Sequence, residues 1–208
     1  MLIRQNYYVE KREKILDLVL DVLDNLTNMI DRLTKNLQHY SKDHIKFILD
    51  SEKDINEKES KIEEHIMEAV SLQQLNVEEI KWMFGMNRIN RELERIGDQI
   101  TNIITISNYD DIEDIQPIIN TFLQYEQKMI HWLIDGIQKN DSDLLQKVIE
   151  HDEHINKLNK GTYKNLVESI NEKDTITESS IKIVIISRFL ERMGDHLVNI
   201  ARTYLKLI

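Results

Sequence analysis

Apolar residues recur at helical spacing along almost the whole chain. Ile15, Leu18, Val22, Leu26, Met29 and Leu33 mark one face of a first helix, from about Asn6 to His39. Ser41, followed by Lys-Asp, caps a second, from about Lys42 to Leu75. A third runs from about Val77 to Ser107, with Met86, Ile89, Leu93, Ile96, Ile100 and Ile103 as its apolar stripe. Turn formers then cluster at Asn108-Tyr-Asp-Asp, which divides the chain into residues 1–108 and 109–208. Pro117 suits the first turn of a fourth helix, where its missing N–H would be unpaired anyway, and that helix reaches about Lys139. Asn140-Asp-Ser-Asp caps a fifth, about Leu144 to Ile170. Asn171-Glu-Lys-Asp-Thr leads into a sixth, about Thr177 to Leu207, striped by Ile186, Phe189, Leu190, Met193, Leu197, Ile200 and Tyr204. Five glycines and one proline leave too few turns for β architecture. The pattern predicts an all-α fold of two tandem, pseudo-symmetric three-helix bundles, residues 1–108 and 109–208.

The tandem reading rests on a repeat. Arg91-Glu-Leu-Glu-Arg-Ile-Gly-Asp-Gln-Ile-Thr-Asn-Ile103 returns as Arg188-Phe-Leu-Glu-Arg-Met-Gly-Asp-His-Leu-Val-Asn-Ile200, with eight of thirteen residues identical at an offset of 97. A weaker echo lies on the preceding helix: Asp50-Ser-Glu-Lys-Asp-Ile-Asn56 against Glu150-His-Asp-Glu-His-Ile-Asn156, at an offset of 100. The strong motif keeps Glu94/Glu191, Asp98/Asp195 and Asn102/Asn199, which stack at i, i+4, i+8. The weak one keeps Glu52/Asp152 and Asn56/Asn156. Counted from the intervening turns, the acids of each helical hairpin lie within roughly 3 Å of one another in height.

Two acids at i, i+4 repel by about 0.2–0.5 kcal/mol. A solvated polar face needs some charge, but not the same charges at the same places twice. A bound cation is the simplest reason to hold both acids, and oxygen donors favour Mg²⁺, Mn²⁺, Ca²⁺ or iron over softer metals. Gly97 and Gly194 also return, at a helix-interior cost of about 0.8–1.0 kcal/mol each, which implies close approach or room beside the acids. The candidate ligands are therefore Glu52, Asn56, Glu94, Asp98 and Asn102 in the first half, and Asp152, Asn156, Glu191, Asp195 and Asn199 in the second.

Composition narrows the function. A net charge of −10 disfavours nucleic acid, whose backbone demands a basic surface. With no cysteine there is neither disulfide nor thiolate site, which suits a cytoplasmic protein. No signal-like or membrane-spanning stretch stands out. None of the seven histidines follows a glutamate by three, as di-iron carboxylate bundles require, and no nucleophile–base set or phosphate loop is visible. His151 and His154 read as a solvated pair, and Trp82 and Trp132 as bundle packing.

Leu93-Glu-Arg-Ile-Gly-Asp98 and Leu190-Glu-Arg-Met-Gly-Asp195, each followed by Asn-Ile four residues on, resemble the duplicated signature of the PhoU family. The resemblance covers about Ser51 to the C-terminus; the first forty residues match poorly. It implies a homodimer-forming, non-enzymatic cytoplasmic adaptor that represses the phosphate-starvation response and phosphate uptake. Its implied partners are a phosphate ABC transporter ATPase and a membrane sensor histidine kinase. It also implies divalent or trivalent metal, iron or zinc, bound through Glu94, Asp98, Glu191 and Asp195 with Glu52 and Asp152 opposite. Asn56 and Asn156 stand where many members carry aspartate. A metal-dependent carboxylate-bundle enzyme, a metal-storage protein and a regulator of another transporter remain the alternatives.

Overall fold

A computed structural model of the chain describes residues 2–72, 74–107, 116–173 and 177–208. All regular structure among them is helical: α1 (Leu2–Gln38), α2 (Lys42–Leu72), α3 (Val77–Ile106), α4 (Gln116–Lys139), α5 (Ser142–Lys173) and α6 (Glu178–Tyr204). The division expected at Asn108-Tyr-Asp-Asp lies outside the described residues.

The caps explain the boundaries. Asn76 Oδ1 accepts the Glu79 N–H at 2.9 Å, and Glu79 Oε2 accepts the Asn76 N–H at 2.8 Å, a reciprocal box that starts α3. Asp141 Oδ1 takes the N–H groups of Asp143 and Leu144 at 2.9 and 3.1 Å, so α5 begins at Ser142 rather than at Leu144. Asn140, at φ 50°, supplies the left-handed step between α4 and α5 that asparagine tolerates best among residues with a Cβ.

α1, α2 and α3 pack on one another as one bundle, and α4, α5 and α6 as a second. Their buried positions correspond. On α1, Val19, Val22, Leu23, Met29, Ile30 and Leu33 are matched by Ile119, Phe122, Leu123, Met129, Ile130 and Leu133 on α4, at an offset of 100. Ile48 and Ile55 on α2 are matched by Val148 and Ile155 on α5. Ile89, Leu93, Ile96 and Ile100 on α3 are matched by Ile186, Leu190, Met193 and Leu197 on α6 at the motif's offset of 97. Position 26 breaks the pattern most sharply: Leu26 corresponds to Glu126, and both are wholly buried.

The bundles join through α3 against α6, the most extensive helix pair, and α1 against α4. Gly85 lies against Leu207 while Glu92 bonds Asn199, so α3 and α6 run antiparallel, as equivalent helices do across an approximate two-fold axis. The core is continuous across this junction. Glu92 is its polar centre: its Oε2 is 2.7 Å from His196 Nδ1 and accepts from Asn199 Nδ2 at 3.2 Å. Trp82 is buried beneath the Arg12 guanidinium, and Trp132 packs edge-on to His151. His151 therefore departs from the solvated pair expected of it. Its ring lies between Tyr125 and Trp132, and its Nε2 is buried without a hydrogen-bond partner. Desolvation lowers its pKa.

Candidate metal centre

The expected acids of each hairpin face one another. In the first, Asp98 on α3 is raised above its ordinary pKa by burial and then by the Glu52 carboxylate across from it on α2. Glu94, one turn back, is raised by burial, by Asp98 and by Glu59. Glu59, two turns along α2 from Glu52, is itself raised by burial, with Glu63 and Asp98 adding to the effect. Four half-buried or intermediate carboxylates thus gather between α2 and α3, and their mutual repulsion opposes full ionisation.

The second hairpin repeats the arrangement with fewer charges. Asp152 on α5 is raised by burial and by Asp195 on α6, with Glu191 adding to it; the Asn156 amide and Arg202 pull the other way. Asn159 stands in the place of Glu59, and Arg202 in that of Thr105. Asp152 Oδ1 is buried without a partner.

Gly194 makes room for this acid. A Cβ there would stand 3.1 Å from Asp152 Oδ1 and 2.8 Å from Ile155 Cδ1. At Gly97 the same Cβ would meet Ile55 Cδ1 at 3.4 Å. Gly194 thus marks close approach of the facing helix, as its recurrence suggested, whereas a Cβ at Gly97 would make only ordinary contact.

The four asparagines have separate roles. Asn56 Nδ2 donates to Glu52 Oε1 at 2.6 Å, and Asn156 Nδ2 to Asp152 Oδ2 at 2.8 Å, so each amide fixes the acid one turn before it. Asn199 turns to Glu92 at the bundle junction, away from a common cluster with Glu191 and Asp195. Asn102 is exposed. Glu59 escaped the sequence reading because its counterpart is an amide; its i, i+7 spacing from Glu52 was the available signal.

The donor set suits a hard cation: oxygen ligands, like charges held together, one carboxylate oxygen with no partner. Among the described residues no three acidic or histidine side chains converge on one point as they lie, so enclosing an ion calls for side-chain rotation about the existing helices.

Two bundles, each presenting a carboxylate-lined hairpin, define a duplicated helical protein with paired acidic centres. The chain belongs to the PhoU domain family, whose model matches it twice, over residues 19–107 and 119–203. A phosphate-specific transport system accessory protein PhoU homolog of Pseudomonas aeruginosa is 25% identical over 158 residues, 74% of this chain and 65% of the relative. The homolog of Clostridium acetobutylicum is 23% identical, over 74% of this chain and 72% of its own length. Solved structures of PhoU from Pseudomonas aeruginosa and of the phosphate transport system regulatory protein PhoU from Streptococcus pneumoniae share the fold. Their TM-scores are 0.87 and 0.86, each covers 96% of this chain, the chain covers 98% and 96% of them, and they are 19% and 16% identical to it.

Proposed function

We propose that this chain is a metal-binding regulatory adaptor of phosphate homeostasis. It restrains phosphate uptake and the starvation response by linking a phosphate ABC transporter to a membrane sensor histidine kinase. The observation that carries the reading is the duplicated signature: both copies lie on equivalent hairpins and set their acids against acids of the preceding helix. The relatives' description as accessory proteins of phosphate-specific transport supplies the pathway. No helix among the described residues is long and apolar enough to cross a membrane, which suits a protein recruited to a membrane system by its partners.

Glu52, Glu59, Glu94 and Asp98 would hold one cation cluster, and Asp152, Glu191 and Asp195 a second. Bound metal would supply the positive charge that these acids otherwise lack. The protein's own contribution is positional: amides fix the α2 and α5 acids, Gly194 admits Asp152, and the junction at Glu92 couples the two hairpins.

The test is deletion of the gene, followed by phosphate uptake and starvation-gene expression in high phosphate. Both should rise. Wild-type values for both, in a genome with no second copy of the family, would defeat the regulatory reading.

A further inference from the structure

The second bundle carries an outer groove. It lies between α4 and α5, measures about 490 Å³ and is walled by Ile118, Tyr125 and Leu158. In the first bundle an ionic bridge occupies the equivalent positions. The Lys58 ammonium reaches from α2 to lie 2.7 Å from Asp21 and 2.7 Å from Asp54, and Asn25 donates to Asp54 at 2.6 Å. At the offset of 100, Thr121, Tyr125, His154 and Leu158 occupy these positions, so the lysine and both its acids are gone.

Two observations point to an occupant and to its charge. Gly161 lines the groove in mid-helix, where glycine is unfavourable. It has no positive φ, and a Cβ there would meet nothing within 4 Å, so no contact among the described residues calls for it. Second, Asp17, Asp21, Asp54 and Glu57 of the first bundle are replaced by Pro117, Thr121, His154 and Lys157. Among the described residues that line it the groove therefore has no carboxylate, on a chain of net charge −10, and it carries an imidazole and an ammonium at its α5 edge. Lys157 pairs with Glu153 at 2.8 Å, but the pair is exposed and on one helix, so it competes weakly for the ammonium. The Thr121 and Thr162 hydroxyls donate to carbonyls of their own helices, both at 2.9 Å, which leaves the walls apolar.

We propose that this groove binds a small amphipathic anion, a flexible apolar chain ending in a carboxylate that sits at the His154–Lys157 edge. The volume lies in the small-molecule range of about 300–1,000 Å³. Pro117 to Tyr125 spans roughly 12 Å along α4, which suits a medium-length chain and is short for a partner helix. The site is separate from the acidic centres and does not rest on the regulatory reading.

The test uses the full chain and decanoate, followed by displacement of the fluorescent anion anilinonaphthalene sulfonate. Decanoate should displace it saturably, and decylamine, of equal length and opposite charge, at least about tenfold less well. Gly161→Leu fills the groove with a better helix former; it should weaken decanoate by at least about tenfold while the melting temperature holds or rises. Rebuilding the bridge with Leu158→Lys, Thr121→Asp and His154→Asp should do the same. Absence of decanoate binding, equal displacement by decylamine, or undiminished binding in a cooperatively melting Gly161→Leu variant would overturn the proposal. A partner protein lost in that variant, without decanoate binding, would assign the groove to a protein and overturn it equally.

Discussion

At position 26 the first bundle buries a leucine, and at the equivalent position 126 the second buries a glutamate. Both are wholly buried. Leu26 packs toward Gly97, whereas neither carboxyl oxygen of Glu126 has a hydrogen-bond partner. Burial drives the Glu126 pKa well above its ordinary value, with no neighbouring charge contributing. The two outer faces differ in the opposite sense: bridged by an ion pair in the first bundle, grooved and apolar in the second. One backbone plan therefore tolerates polarity in the core of one half and on the shell of the other. Repetition of a fold constrains which positions are buried more tightly than which groups fill them.

Exchanging the two core residues tests this most severely. Leu26→Glu should destabilise the protein by about 3–5 kcal/mol, because it adds an unpaired acid to a packed core and removes a leucine. Glu126→Leu should stabilise by about 1–3 kcal/mol, the usual cost of an unsatisfied buried polar group. In thermal unfolding each kcal/mol corresponds to roughly 2–4 °C at this chain length. The pH dependence follows from the direction of the shift. Glu126 holds its proton more tightly folded than unfolded, so stability falls as pH rises above the unfolded carboxylate value, until the folded group also ionises. The gain from Glu126→Leu should therefore widen with pH. A loss of stability in that variant would mean that Glu126 has a role in the native state that burial alone does not reveal.

The acidic centres separate the halves more gently. The first has four carboxylates; the second has three, with Arg202 acting on Asp152. A divalent cation should bind the first more tightly by about tenfold, or about 1.4 kcal/mol. Glu59, Glu94 and Asp98 in the first centre and Asp152 in the second hold protons more tightly than ordinary carboxyls, so affinity at both should increase with pH through the range just above ordinary carboxylate values. Calorimetric titration of Asp98→Asn and Asp195→Asn isolates the centres. Equal affinities, or affinities flat with pH, would remove the distinction. Arg202→Ala should bring the second centre closer to the first.

What the sequence disclosed follows the same division. Helix periodicity exposed the six elements because each apolar stripe faces one connected core. The facing of Glu52 with Asp98, and of Asp152 with Asp195, was accessible from residue counts and the helical rise, since both hairpins are long and regular. Glu59, Glu92 and Glu126 were not legible, because none has an acidic counterpart: Asn159, Phe189 and Leu26 stand there instead. The burial of His151 depends on Tyr125 and Trp132 from α4, a tertiary contact that local spacing does not encode. Duplication thus revealed the shared features and concealed those belonging to one half.

The smallest expected effect concerns the ionic bridge of the first bundle. Lys58→Leu copies Leu158 into α2 and removes an ammonium held between Asp21 and Asp54. Its side chain is 13% exposed, but the two acids are 56% and 48% exposed, so solvent screens the pair strongly. The expected cost is about 0.2–1 kcal/mol, read from chemical unfolding near neutral pH and low salt. Asp54 is held below its ordinary pKa, chiefly by hydrogen bonding to Lys58, so that contribution is present above the unfolded carboxylate value and is lost as pH falls through the folded one. The Lys58 pKa is raised on balance, the two acids outweighing desolvation, so its contribution is present below the unfolded lysine value and lost as pH rises through the folded one. Wild type and variant should converge at both extremes and differ most between them. If the variant is as stable as wild type throughout, the bridge serves to fill that face of the first bundle; Lys58→Leu should then let an uncharged apolar dye bind there, and the four acids around it should keep decanoate out.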